Sequence, residues 1–207
     1  MKDFSVSMAL VDYIPVIFFA AAVILLMRDL YEHMRKDAFA LFAAGSIDIV
    51  CAGALKATYK LLYAAGICDF EVLSSMMFPV QSLGFLMAGI GMVLMLCGSK
   101  KRTVAATAPP LFSGTFVFVG LMVTGLGMVS TVLCILAARL KKKPAMVCFI
   151  VAFICSMCMG YLASQDFTQA FMNWMAEIIN IVGQGALLTG TVILHKAGLA
   201  QISLKKG

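Results

Sequence analysis

The chain has 207 residues, 62% of them hydrophobic and 13% charged, with a mean hydropathy of +1.00 and a formal net charge of +6. Soluble domains carry about 25% charged residues, so a soluble core is excluded and lipid is the expected solvent for the long apolar runs. Nucleic acid is not an expected partner: every Lys and Arg except Lys2, Lys56 and Lys60 falls in four short clusters between apolar runs, the pattern of cytoplasmic membrane loops.

The expected fold is an all-α integral membrane protein, a seven-span helical bundle in a single transmembrane domain over 1–207. The spans lie at about 9–27, 38–66, 72–98, 103–118, 121–140, 145–164 and 168–195. The first run lacks a preceding basic stretch and a following small-residue cleavage site, so it reads as a retained span and not as a signal peptide. Arg28, Arg35 and Lys36 follow it. The second span carries Asp48 toward one end and Lys56 and Lys60 toward the other, the lysines sharing a face at i, i+4 beside Tyr59 and Tyr63. Lys60 is near enough to the helix end to snorkel. Lys56 is deeper, at a depth matching Glu177 of the last span, and a Lys56–Glu177 ion pair is the favoured contact. The third span places Ser74, Ser75, Gln81 and Ser82 around Pro79, whose missing N–H leaves a carbonyl unbonded and bends the helix.

The run from 103 to 140 is too long for one span. Lys100, Lys101 and Arg102 precede it, and Arg139 and Lys141 to Lys143 close it, whereas the connections around Asp69 and Asp166 hold no Lys or Arg. Keeping all basic clusters cytoplasmic requires two crossings here, with six spans and a re-entrant segment at 103–120 as the alternative. Gly84, Gly89, Gly91 and Met92 recur in the same spacing as Gly120, Gly125, Gly127 and Met128, and Asp69-Phe70 is echoed by Asp166-Phe167. These echoes suggest stacked helical hairpins of spans 2–3, 4–5 and 6–7, although Gly-rich apolar segments also resemble one another by composition. The resulting layout is a plasma (inner) membrane protein, multi-pass, with its N-terminus outside and its C-terminus cytoplasmic.

In the sixth span Cys155, Cys158 and Met159 are weak candidates for a soft metal such as Cu(I), or for disulfide exchange with an outside partner. Cys and Met are equally ordinary apolar filling. The last span carries the strongest pattern. Asp166, Asn173, Glu177, Asn180, Gln184, Thr191 and His195 recur by sevens, fours and threes and fall within an arc of roughly 60°. Such a stripe must face protein or water. Interhelical hydrogen bonding explains its amides, but an ionised Glu177 calls for a partner, hydration or a proton.

No Gly-x-x-x-x-Gly-Lys loop, His-Glu-x-x-His or Gly-x-Ser-x-Gly is present, so the signals of nucleotide hydrolysis, zinc proteolysis and esterase chemistry are missing. No catalytic residue and no cofactor is indicated. The expectation is a small-solute membrane carrier or binding protein with a polar site near the bilayer midplane between spans 2, 3 and 7, formed by Lys56, Tyr59, Gln81, Asn173, Glu177, Asn180 and Gln184. Its ligand would be a small polar or anionic molecule with an apolar body, the apolar faces coming from Tyr59, Tyr63 and Trp174. One alternative is a receptor or accessory subunit whose stripe docks a partner or a second copy. Another is a membrane-embedded enzyme acting on a lipid or isoprenoid through Asp48, Glu177 or His195.

Overall fold

In the computed structural model, residues 5–70, 72–97, 115–162 and 170–202 are described, and their regular structure is entirely helical. Six stretches are long and apolar enough to cross a bilayer: Val6–His33, Lys36–Ala64, Met77–Cys97, Val117–Arg139, Lys143–Gly160 and Phe171–Lys196. The chain is a multi-pass membrane protein.

Local chemistry sets the breaks. Helices α1 (Val6–Val11) and α2 (Tyr13–Leu30) part at Asp12, because Pro15 has no N–H to give the Val11 carbonyl. Helix α3 (Lys36–Ala64) ends in Gly66 at φ +67°, where the Ile67 N–H donates to the Leu62 carbonyl and the Gly66 N–H to that of Tyr63, each at 3.0 Å. Helices α4 (Val72–Ser75) and α5 (Met77–Cys97) part at Met76, again three residues upstream of a proline, Pro79, which has no N–H to give the Ser75 carbonyl. Helices α6 (Thr115–Arg139), α7 (Lys143–Leu162) and α8 (Ala170–Lys196) complete the bundle.

Contacts between helices give their directions. Tyr13 meets Thr58, so α2 and α3 are antiparallel. Gly45 lies against Gly84 and Gly91 against Ala38, so α3 and α5 are antiparallel too. Phe78 meets Phe118 and Phe85 meets Gly125, so α5 and α6 run parallel. Gly183 abuts Cys155 and Gly190 abuts Phe149, which makes α7 and α8 antiparallel, whereas α2 and α8 are parallel, with Phe18 against Gly185 and Asp29 against His195. Consequently Arg28, Arg35, Lys36, Arg139, Lys141, Lys142, Lys143 and Lys196 gather at one end of the bundle, here the basic end.

The half toward the basic end holds the apolar core. Leu30, Phe42, Met92, Leu136, Phe149 and Leu194 are part of one fully buried apolar cluster. Glycines let backbones touch: a Cβ at Gly45 would overlap the Gly84 carbonyl, and one at Gly125 would overlap the Phe85 carbonyl.

One expectation needs adjustment. The turn that divides 103–118 from 121–140 is absent, because α6 is unbroken from Thr115 through Gly120 to Arg139 and is long enough to cross alone. A crossing or re-entrant segment before Thr115, the Lys100–Arg102 cluster and the Asp166-Phe167 echo all lie outside the described residues.

Candidate functional site

The end opposite the basic one is charged inside. Asp12 at the α1–α2 junction, Lys60 on α3 and Glu177 on α8 are each no more than 5% exposed. Lys60 Nζ donates to Glu177 Oε1 at 2.6 Å and lies 2.9 Å from Asp12 Oδ2. The latter approach is an ion pair without hydrogen-bond alignment, since Asp12 Oδ2 is left, like Glu177 Oε2, as a buried oxygen with no hydrogen-bond partner. Three elements thus bring two carboxyls to one ammonium. A buried ion group of this kind resists loss of a single member, because the remainder is an uncompensated charge; truncations of such pairs cost about 3–5 kcal/mol.

One turn from Lys60, Lys56 turns to a cavity of about 140 Å³. Its polar walls are Asp12, Lys56, Gln81, Ser156, Asn180 and Gln184, and its apolar walls include Phe78, Phe85, Met122 and Leu126. The volume has room for roughly ten waters or one small solute. Gln184 Oε1 is buried with no hydrogen-bond partner, so the cavity presents an open acceptor opposite a lysine donor. Two smaller spaces of about 60 and 30 Å³ share Phe85 and Gln184 with it, and the smaller reaches Phe149 and Leu187, where the apolar cluster closes the bundle.

Of the residues expected in the site, Lys56, Gln81, Asn180 and Gln184 share this cavity, and Glu177 stands beside it on Lys60. Tyr59 does not join them. It is 2% exposed, and its hydroxyl donates to Asp69 Oδ1 at 3.1 Å. Asn173 is buried on α8 one turn before Glu177 and is not among the cavity walls. The expected Lys56–Glu177 pair is replaced by Lys60–Glu177, one turn nearer the helix end, and Lys60 does not snorkel. Trp174 is 39% exposed on the outer surface, so Phe78, Phe85, Met122 and Leu126 supply the apolar faces that Tyr59, Tyr63 and Trp174 were expected to bring.

Sequence reasoning missed Asp12. Its signal was present, a carboxylate and Pro15 in an otherwise apolar first span. Ser156 was hidden among the thiols of the sixth span. Met159 lines the cavity, Cys155 packs against Gly183, and Cys158 is exposed. Among the described residues no group of three His, Cys, Asp or Glu side chains is placed to hold a metal. The acid/base candidates are also apart. His195 bonds Asp29 at 2.8 Å near the basic end, Glu177 lies about 27 Å away along α8, and Asp48 sits beside Gly84 on α3. No family model, curated relative or solved structure matches this chain.

Proposed function

We propose that the protein is a small-solute membrane carrier or binding protein of the cell membrane whose site is the Lys56 cavity. One observation carries this reading. A lysine, three amides and a hydroxyl converge on a space inside a membrane bundle, and among the described residues no carboxylate reaches Lys56 at ion-pair distance, Asp12 and Glu177 both going to Lys60. A stripe used as interhelical glue would be packed against its partners, whereas Gln184 retains an open acceptor beside an empty volume. The ligand is a small molecule with an anionic or strongly polar head for Lys56, hydrogen-bonding groups for Asn180 and Gln184, and an apolar body against Phe78, Phe85, Met122 and Leu126.

The proposed layout has seven crossings in stacked hairpins, N-terminus outside and C-terminus cytoplasmic. Parallel α5 and α6 support it, because a chain leaving α5 at Cys97 must return to the opposite end before Thr115, and the basic clusters then share one face. Single cysteines at Gly66 and at Pro144, in a background without exposed native thiols, test the layout in intact cells. Labelling from outside is expected at 66 and not at 144, and labelling at both sinks it. A thermal-shift screen of carboxylates, phosphates, amines and neutral aromatics tests the site. Anions are expected to stabilise most, with the shift reduced in Lys56→Met, and stabilisation by amines alone, unaffected by Lys56→Met, reverses the charge logic.

A further inference from the structure

Among the described residues four ionisable groups meet here, and they come from three elements: Asp12 from the α1–α2 junction, Lys56 and Lys60 from α3, and Glu177 from α8. The walls supplied by α5, α6 and α7, among them Gln81, Met122, Leu126 and Ser156, hold no ionisable acid or base. With all four ionised the cluster is neutral. An anion docking on Lys56 would leave one uncompensated negative charge in a poorly hydrated place, which is strongly disfavoured.

The carboxyl geometry offers the remedy. Asp12 Oδ2 and Glu177 Oε2 are both buried without a hydrogen-bond donor, although Lys60 stands between the two carboxyls. One proton on either oxygen converts two opposed acceptors into a donor and an acceptor. Gln184 Oε1 is orphaned as well, but an amide oxygen does not take a proton near neutral pH.

We propose that this protein binds carboxylate-type anions together with one proton, the anion at Lys56 and the proton on the Asp12–Glu177 pair. This rests on the reading of the Lys56 cavity as an anion site. The proton comes from water, an O–H bond forms on one carboxyl, and no electron moves. Binding and protonation then favour each other reciprocally, so affinity falls as pH rises, by up to about tenfold per pH unit for one linked proton.

The test is isothermal titration of the purified full chain in detergent with benzoate, repeated in Bis-Tris and Tris buffers, which are not anions and whose ionisation heats differ. The expected result is uptake of about one proton per benzoate bound and weakening affinity above neutral pH. Glu177→Gln gives the cluster a net positive charge that benzoate itself neutralises, so proton uptake is expected to vanish and binding to become tighter and independent of pH. Asp12→Asn should do the same, which covers the case where one variant fails to fold. Benzoate binding without proton uptake, or uptake that persists in either folded variant, overturns the proton linkage and leaves the anion site standing. Absence of binding by benzoate, acetate and inorganic phosphate alike overturns the anion site and the linkage with it.

Discussion

The two halves of this bundle solve opposite problems with the same helices. Toward the basic end, α2, α3, α5, α6, α7 and α8 meet in a dry cluster around Phe42, Met92, Leu136, Phe149 and Leu194. In the far half the same helices diverge around water-sized space and carry Asp12, Lys56, Lys60 and Glu177 inside. Lipid gives apolar side chains little reason to leave it, so the dry half is held by shape, with glycines admitting backbone to backbone contact. Charge pairing holds the far half, where separated groups would be penalised by hydrocarbon.

Two lysines on one face of α3 sharpen that comparison most. Lys60→Met removes the ammonium that both carboxyls contact directly and is expected to cost about 3–5 kcal/mol, read as a large drop in melting temperature in detergent. Lys56→Met removes a cation that has no ion-pair partner among the described residues and is expected to be neutral or mildly stabilising. Equal losses from the two would mean that Lys56 is part of the structural pair and that the far half is glue.

Glycine gives the next largest contrast. Gly125→Ala drives a methyl into the Phe85 backbone and is expected to cost about 1–3 kcal/mol. Gly127→Ala, on the same helix, meets nothing within 4 Å and is expected to gain up to about 1 kcal/mol from helix propensity. Thermal unfolding of the two variants side by side decides it, and a destabilising Gly127→Ala would place a further packed surface on that side of α6.

The smallest effect is at Tyr59. Its hydroxyl bonds Asp69 outside the charge cluster, so Tyr59→Phe is expected to cost about 0.5–1.5 kcal/mol and to leave anion binding unchanged. A change in benzoate affinity would return Tyr59 to the site.

Much of this arrangement was legible before any coordinates. Apolar runs and basic clusters report directly on membrane solvation, a local property of each segment, and the six long helices fall on those runs, while 98–114 lies outside the described residues. The polar stripe of α8 was equally visible, because its period is a property of one helix, and Glu177, Asn180 and Gln184 all turn inward. Asp12, by contrast, was one carboxylate in a short apolar helix, with no periodic companion to mark the face it uses.

Depth along the membrane was the quantity sequence could not supply. Counting from helix ends paired Glu177 with Lys56, whereas the bundle pairs it with Lys60, a difference of one helical turn or about 5.4 Å. That offset depends on how α3 slides against α5 at Gly45 and Gly84 and on where Asp12 arrives from the first helix. Composition and periodicity determined that this chain is a helical membrane protein with an inward polar face. Only the tertiary packing decided which lysine is neutralised and which is left facing the cavity, because that choice belongs to the register between helices and to no single helix.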